Sequence, residues 1–462
     1  MKERKDVHNL PENDRSLELY AIGVAEMKTR PATDPTSGYY QAAMHGFFQD
    51  DNFWADVGVL PSDSHMESYW NQCIHGSWFF APWHRMYIAC FESILANILV
   101  DLGKIATEDD WALPFWNYSD TDNSAALFMP SAFLEPEDKS NPLWIKERNS
   151  PPLIEDNVSL EKLNIIPFVN EDMIRRGFGG AIEEPSQFDT GYGGLEERPH
   201  DWVHDDIGGA MANPVTSGLD PIFWLHHCNI DRLWQEWLDL GEGRKNPDDK
   251  SFNNQRFVFY TYTGVQEEMI VEKVLDTTDV LTGYTYQESN SPIPSRTTRR
   301  LTPRSRPLEL VAASNTKQDL GKTARNIQLT IPASIISRRQ DTLAVLNSIP
   351  DTDTEAYLYF ENITGKGVTP IYKVYVNTPD SGAGTEECCV GRLSLFGLDI
   401  ASTPSIHHSG CGLSRSLDIS ELFDCLRTQP GWNPAQLSVR LEPTREVPAD
   451  TEVNIGRISL HC

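Results

Sequence analysis

The sequence predicts two domains: a mainly α, loop-rich domain built on a four-helix bundle, followed by an all-β domain of the sandwich or barrel type. The chain has 462 residues, which is long for one compact core. Apolar residues recur at helical spacing between about residues 15 and 240, and from about residue 257 they alternate with polar residues as in half-buried strands. We therefore place the domains at 1–290 and 310–462, with a linker at 291–309.

Four helices carry the first domain. Their apolar residues lie three and four positions apart, which places them on one face of each helix. The segment from about Asp120 to Gln187 is instead rich in proline and acidic residues, and we expect it to wrap the bundle as ordered loop. The predicted helices are Ser16 to Met27, Tyr39 to Gln49, His84 to about Leu102, and Pro221 to about Leu240.

The second domain follows a stretch typical of an exposed linker. This stretch, SPIPSRTTRRLTPRSRP at 291–307, contains five arginines and is a natural protease target. Beyond it, short segments alternate apolar and polar residues between turn signals, which is typical of an antiparallel sandwich or barrel. The clearest predicted strands are Asn326 to Ile331, Glu355 to Glu361, Ile371 to Asn377, Val390 to Phe396, Gln436 to Glu442 and Val453 to His461.

The net charge excludes polyanionic partners. The 67 acidic side chains outnumber the 39 basic ones and leave a formal charge of −28, which repels nucleic acid and anionic membrane surfaces. No apolar run reaches the length of a membrane span, and the polar start MKERKDVHNLPENDR lacks the hydrophobic core of a signal peptide. We expect a cytoplasmic protein with small neutral or cationic substrates; the oligomeric state stays open.

Histidines in the first domain form two clusters. His200 and His204 are four residues apart, so on one helix they project from the same face. A third donor comes from the adjacent pair His226 and His227, of which only one faces inward. The other cluster combines one residue of the second predicted helix, one residue that ends a loop, and one that opens the third predicted helix. These three are His45, His75 and His84.

Two groups of three imidazoles indicate a pair of metal sites. Neutral imidazole suits copper, zinc or iron, and no carboxylate is spaced as an obvious ligand. All-histidine, three-coordinate geometry with neighbouring open positions favours a copper pair that binds dioxygen. A single histidine among aromatic residues is more often a satisfied core residue, but six in this arrangement are hard to explain as packing.

Two segments resemble the copper-binding signatures of tyrosinases and polyphenol oxidases, the type 3 copper proteins. They are HGSWFFAPWHRMYIACFE at 75–92 and the pair PHDWVHDDIGG and LDPIFWLHHCNIDRLWQEW within 199–237. The resemblance covers roughly residues 1–290. It implies two copper ions, and it selects His227 over His226 as the ligand. The first ion would be held by His45, His75 and His84, and the second by His200, His204 and His227.

The resemblance gives meaning to further residues near the clusters. Cys73 precedes His75 by two positions, as in fungal tyrosinases and molluscan haemocyanins, where a thioether joins the two. Phe80 matches an aromatic residue that packs over the ligands of the first copper. Glu196 matches a glutamate that orders a water near the second copper, with Glu197 as the competing candidate.

Other positions bear on specificity and on the fold. Asp201 stands where many tyrosinases have Asn, at a position implicated in deprotonating a monophenol. Pro214 and Val215 fall near the position where plant catechol oxidases place a bulky Phe over the metal site, and their small size implies an open entrance. Arg4 and the motif Tyr284 to Tyr286 resemble an arginine and a tyrosine motif that bring the two ends of the catalytic domain together. The β-rich domain resembles the one that shields latent polyphenol oxidases.

The resemblance implies an oxidase of phenols. Its reactions with O2 would be ortho-hydroxylation of monophenols and oxidation of o-diphenols to o-quinones, latent until the second domain is removed. One alternative keeps the fold but restricts the substrates to o-diphenols or o-aminophenols. Another, from a different class, is a haemocyanin-like oxygen carrier whose β domain permanently blocks substrate.

Overall fold

The structure is a computed structural model that describes residues 1–149, 152–188, 190–290, 293, 307–330, 355–376, 389–405, 409–420 and 437–462. It divides into two compact units. Unit 1 comprises Met1–Asn170 and Gly177–Ser295, and unit 2 comprises Glu171–Arg176 and Arg296–Cys462. The predicted linker lies largely outside the described residues, so the domain boundaries on either side of it stay predictions.

Unit 1 is mainly helical. Its longest helix, α4, packs against α1 and α7, while α2 packs against α1 and α6, so the predicted bundle is confirmed. None of the described helices is long and apolar enough to cross a membrane. The helices are α1 (Ser16–Thr29), α2 (Gly38–His45), α3 (Asp63–Tyr69), α4 (Phe80–Asp101), α5 (Trp202–Ile207), α6 (Pro214–Ser217), α7 (Ile222–Asp239) and α8 (Lys250–Asn253).

Two predicted helix boundaries are wrong, and both affect a histidine. Helix α2 ends at His45 instead of Gln49, because Gly46 is extended with φ −162° and ψ 144°. Helix α4 begins at Phe80, so His84 lies in its second turn and does not open it. Pro82 is tolerated there because the backbone N–H groups of the first helical turn have no acceptor within the helix, so the N–H that proline lacks costs no hydrogen bond.

The ends of unit 1 meet at a buried network of charges. Strand β1 (Lys2–Arg4) pairs in parallel with β4 (Tyr284–Tyr286), which confirms the predicted association of these two segments. Arg4 donates to Glu92 of α4 at 2.5 Å and to the Tyr286 hydroxyl at 2.9 Å. Both charged groups are buried, so the pairing satisfies charges that burial alone would leave very unfavourable.

The same network joins two helices that carry histidines. Arg85 of α4 donates to Asp231 of α7 at 2.5 Å, and the hydroxyls of Tyr284 and Tyr286 donate to the other oxygen of that carboxylate. Burial acts to raise the pKa of Asp231, but the guanidinium groups of Arg85 and Arg4 outweigh it and hold that pKa below its usual value. Asp231 therefore pairs with two arginines across the network.

The rest of unit 1 is loop and a hairpin. The segment predicted as ordered loop contains only short 3₁₀ turns among its described residues, at Ser131–Phe133, Glu155–Val158 and Glu161–Asn164. Strands β2 (Arg256–Tyr260) and β3 (Gln266–Ile270) form an antiparallel hairpin. The bundle is thus enclosed by irregular chain, which the proline-rich sequence predicts.

Unit 2 contains two antiparallel sheets, as predicted for the all-β domain. One has the strand order β10-β9-β12-β7, and the other β11-β8-β13-β5, with β6 paired to β13. Burial alternates along β12, which explains the period of two in its sequence. The elements are β5 (Leu310–Ala313), β6 (Gln318–Asp319), β7 (Arg325–Leu329), β8 (Tyr357–Lys366), β9 (Tyr372–Val376), β10 (Cys389–Leu393), α9 (Leu398–Ser402), β11 (Leu413–Asp418), β12 (Leu437–Pro443) and β13 (Glu452–His461).

Candidate metal centre

The first histidine cluster is built from three separate pieces of chain. His45 is the last residue of α2, His75 lies in the loop before α4, and His84 lies in α4. All three are buried, and one ring nitrogen of each lies within 4.8 Å of one ring nitrogen of each other member. The structure therefore brings the three predicted ligands of the first site together.

Backbone acceptors orient the rings of this cluster. The Nδ1 of His45 bonds the Pro214 carbonyl at 2.9 Å, and the Nδ1 of His84 bonds the Phe80 carbonyl at 2.8 Å. A carbonyl only accepts, so each Nδ1 carries the proton and each Nε2 presents a lone pair. The two Nε2 atoms are buried and have no hydrogen-bond partner among the described residues.

The second cluster is built from α5, α7 and the turn before α5. This turn, Glu196–Asp201, is kinked at Arg198 (φ −149°, ψ 127°), carries His200 and runs directly into α5, which carries His204. His227 comes from α7, and its Nε2 lies 3.3 Å from the Nε2 of His204. Arg198 precedes His200, so His200 and His204 lie on the helical chain that follows the kink and both side chains reach one site, as predicted.

The rings of the second cluster are held in more varied ways. The Nδ1 of His204 donates to the Met211 carbonyl at 2.7 Å, as in the first cluster. The Nδ1 of His200 instead contacts the Asp201 carboxylate at 2.9 Å. His227 packs against Phe223, with ring centroids 4.1 Å apart and an interplanar angle of 39°, and its Nδ1 has no partner among the described residues. A side-chain carboxylate thus takes part in orienting a ring of this cluster.

His226 is a fourth imidazole beside the second cluster. One of its ring nitrogens lies within 4.8 Å of the donor atoms of the other three histidines. Its Nδ1 is 3.1 Å from the Tyr118 hydroxyl, and its ring is stacked on His200. Distance alone therefore does not separate His226 from His227, whereas the Nε2 of His227 is the one that faces His204 directly.

The two clusters form one centre. The rings of His84 and His227 are stacked with centroids 4.6 Å apart, and those of His75 and His200 are 5.7 Å apart. Two ions, one in each cluster, would therefore be neighbours, as two metals acting on one small molecule must be.

The imidazoles of the centre are neutral. Burial lowers the pKa of His45 to about 4 and that of His204 to about 3. Burial, together with the neighbouring histidines, lowers the pKa of each of the others well below the ordinary value. Neutral imidazole is the form that binds metal, and buried nitrogens without partners gain most from an ion, so the residues present fit a copper pair. The histidines whose pKa is lowered by burial together with their neighbours are His75, His84, His200, His226 and His227.

The structure distinguishes the two candidate glutamates. Glu196 is fully buried and accepts from the backbone N–H of Gly76, next to His75, at 2.9 and 3.0 Å. Glu197 pairs with Lys162 at 2.9 Å. Glu196 therefore lies against the backbone next to His75, while Glu197 belongs to a salt bridge.

Aromatic rings enclose the centre. Phe80 lies against His84 and His200, with ring centroids 4.6 and 4.7 Å apart, as its sequence match implies. Phe188 is stacked on His75 at 4.6 Å with an interplanar angle of 11°. Sequence reasoning missed Phe188, because it stands in irregular chain with no motif around it.

Cys73 is buried two residues before His75 and is a free thiol in the structure. Burial raises the pKa of this thiol well above its usual range. The Gln187 side-chain amide approaches the sulfur at 3.9 Å. The predicted thioether is not tested by these contacts and stays a prediction.

Pro214 and Val215 have a structural role that the sequence does not reveal. The Pro214 carbonyl accepts from His45, and the Val215 carbonyl accepts from the indole N–H of Trp54 at 2.7 Å. Both residues are buried. A Cβ added to Gly46 would lie 2.5 Å from the Pro214 carbonyl oxygen, so glycine permits the close approach of α2 and α6.

Comparison with known proteins supplies the family. Residues 35–167 and 165–240 match the common central domain of tyrosinase, and residues 307–462 match a domain of unknown function. Tyrosinase HcTyr1 of Hahella sp. (strain CCB-MM4) is 38% identical over 484 residues, which cover 100% of this chain and 99% of the relative. The chloroplastic polyphenol oxidase of Malus domestica is 30% identical over 389 residues, covering 77% of this chain and 61% of that protein.

Solved structures agree at the level of the fold. Latent apple tyrosinase superposes with a TM-score of 0.60 at 24% identity, covering 100% of this chain and 96% of that one. Recombinantly expressed latent aurone synthase, a polyphenol oxidase, gives 0.62 at 20% identity, with 99% and 88% covered. With the near full-length match to the Hahella protein, the chain belongs to the tyrosinase and polyphenol oxidase family, the copper-dependent oxidases of phenols with a dinuclear type 3 centre.

Proposed function

We propose that this enzyme hydroxylates monophenols at the ortho position and oxidises o-diphenols to o-quinones. Per monophenol, one O2 is consumed and one o-quinone and one water are formed. We assign the first copper to the three histidines of the first cluster and the second copper to three of the second cluster. These ligands are His45, His75 and His84, and His200, His204 and His227.

The copper pair, when bound, supplies the binding and reduction of dioxygen. The protein residues fix the imidazoles and handle the proton of the substrate. In our proposal Glu196 takes the phenolic proton, directly or through a water, because its carboxylate is buried beside His75. Asp201 positions His200 through the contact with Nδ1, which leaves the proton transfer to Glu196.

The placement of Glu196 is the observation that carries the hydroxylase proposal, because a phenol must lose its proton next to the metal pair. The test is oxygen uptake by the copper-loaded protein with tyrosine or tyramine and with the corresponding catechol. Both substrates should be consumed, and Glu196→Gln should slow the monophenol more than the catechol. Glu197→Gln is the matched control and should behave as wild type, since its partner is Lys162.

Two outcomes favour other functions. Oxygen uptake only with the catechol or an o-aminophenol would contradict monophenol hydroxylation. An oxidase restricted to these substrates is the foremost alternative, because Asp201 stands where many tyrosinases have Asn. Reversible oxygen binding without turnover of any phenol, also after the second domain is removed, would indicate a carrier.

We also propose that the enzyme is latent. The arginine-rich linker offers cleavage sites on the C-terminal side of the catalytic domain. Limited proteolysis there, followed by removal of the C-terminal fragment at high ionic strength, should raise phenol oxidation severalfold, and unchanged activity of the isolated catalytic fragment would contradict latency.

We propose that Cys73 becomes bonded to His75 when copper and oxygen are supplied. The bond forms between the sulfur and a ring carbon, and both lost hydrogens leave as protons while the two electrons reduce oxygen. After loading and unfolding, Cys73 should resist alkylation, whereas buried Cys90 should react as before loading. Equal alkylation of both cysteines would contradict the proposal.

A further inference from the structure

The chain enters unit 2 twice. Besides the C-terminal part, the hexapeptide Glu171–Arg176 belongs to unit 2, although the chain on both sides of it belongs to unit 1. We propose that this hexapeptide is a docking segment that keeps the β-rich unit attached after the linker has been cut. The β-rich unit would thus carry a binding surface for a di-arginine peptide of its own chain.

The first contact is a shielded ion pair. The Arg175 guanidinium donates to one carboxylate oxygen of Glu355 through Nε at 3.1 Å and through Nη2 at 2.7 Å. The two side chains are only 12% and 17% exposed. Charge-assisted hydrogen bonds away from bulk water are stronger than exposed pairs, because solvent screens them less.

The second contact uses the neighbouring arginine. The Nε of Arg176 donates to the Ser416 hydroxyl at 3.1 Å, and its Nη2 donates to the Ser414 carbonyl at 3.4 Å. Both acceptors lie on β11, which pairs with β8 in the same sheet. Glu355 stands two residues before β8, so neighbouring strands supply the acceptors for both guanidinium groups.

The hexapeptide is folded for this contact. The Asp172 carboxylate accepts from the backbone N–H groups of Ile174 and Arg175, each at 2.8 Å. The Glu171 N–H donates to the Arg175 carbonyl at 3.1 Å. These bonds form a tight turn that fixes the direction of the arginines before binding, which reduces the entropy lost on association.

The base of the turn is closed within unit 1. The Gly177 N–H donates to the Asn170 side-chain carbonyl at 2.6 Å, so the two ends of the hexapeptide are held side by side. A cut within residues 296–306 therefore leaves two polypeptides that share this segment as a contact. One polypeptide carries Arg175 and Arg176, and the other carries Glu355 and the β11 acceptors.

The experiment uses the full chain with a recognition sequence for a site-specific protease placed within residues 299–304. After complete cleavage, size-exclusion chromatography at low ionic strength reports whether the two fragments elute together. The variants are Arg175→Glu, Glu355→Arg and the exchanged pair carrying both. Arg440→Glu is the matched control, because it breaks another pair within unit 2, that with Glu442.

The cleaved parent and the Arg440→Glu protein should elute as one species of the uncut size. Arg175→Glu and Glu355→Arg should each separate into fragments, with a dissociation constant raised at least tenfold, and the exchanged pair should restore co-elution in part, because a glutamate at position 175 would face Asp172. Separation of the cleaved parent, or co-elution of Arg175→Glu as tight as that of the parent, would overturn the proposal. Thermal unfolding of the uncut variants distinguishes loss of the contact from loss of the fold. The readout is association, so it is independent of which phenols the enzyme oxidises.

Discussion

The imidazole rings of the two histidine clusters are oriented by different kinds of partner. In the first cluster, the Nδ1 atoms of His45 and His84 bond backbone carbonyls. In the second, His204 has a backbone carbonyl, His200 has the Asp201 carboxylate, and His227 is held by ring packing. A backbone acceptor survives substitution of the residue that supplies it, whereas a carboxylate or a packed ring does not.

The difference separates the part of the site that is fixed by the fold from the part that sequence can tune. Backbone carbonyls orient two rings of the first cluster, with His75 stacked on Phe188, whereas the second cluster depends more on the side chains around it. We expect changes to the first cluster to remove copper, and changes around the second to alter affinity and substrate preference.

The largest effect should come from removing a ligand. His84→Gln should reduce copper from two to one or fewer per chain and abolish phenol oxidation, because α4 offers no replacement donor at that position. His226→Gln is the matched control and should retain two coppers. Copper analysis after dialysis checks both variants, and loss of copper from His226→Gln would show that the second site uses the other histidine of the pair.

The next largest effect should come from a change in the backbone that supports the first cluster. Gly46→Ala would place a Cβ 2.5 Å from the Pro214 carbonyl oxygen and displace the acceptor of His45. Loss of such a supporting hydrogen bond typically costs about 10- to 100-fold in metal affinity. Gly38→Ala, in the same helix, meets only ordinary contacts at 3.8 Å or more and should bind copper as wild type. Equal affinity in both variants, measured by chelator competition, would contradict the role of the α2 and α6 contact.

A smaller effect is expected at Asp201. Asp201→Asn keeps an oxygen acceptor for His200 but removes the charge that makes this imidazole a better donor. We expect two bound coppers, an affinity for the second reduced by about tenfold or less, and a changed ratio of monophenol to diphenol turnover. Kinetics with both substrates check this, and an unchanged ratio would remove Asp201 from the determinants of specificity.

The smallest effect is expected at the contact between α4 and α7. Tyr286→Phe removes one hydroxyl donor to Asp231, whose pairing with Arg85 joins α7 to α4. The free energy of unfolding should fall by about 1–3 kcal/mol, the usual cost of a buried hydrogen bond left unmade. Tyr262→Phe, at an exposed tyrosine, is the control and should change nothing. If Tyr286→Phe still binds two coppers, the metal centre tolerates the loss of this hydrogen bond.

The sequence predicts the fold class and the membership of the histidine clusters, because helical periodicity and histidine spacing are local properties. The same locality explains what it misses. Phe188 on His75 and the Pro214 carbonyl on His45 are contacts across long stretches of chain, and no spacing rule reaches them. The predicted end of α2 at Gln49 is wrong because the helix stops at His45, where Gly46 is extended and lies close to α6. This is a tertiary contact, which local sequence does not reveal.

The most direct measurement is copper content combined with the absorption spectrum after peroxide is added to the loaded protein. The account predicts two coppers per chain and the absorption band of a coupled copper pair, with both lost together in His84→Gln. Two coppers without that band, or retention of a single ion of another metal, would contradict the dinuclear centre formed by the two histidine clusters.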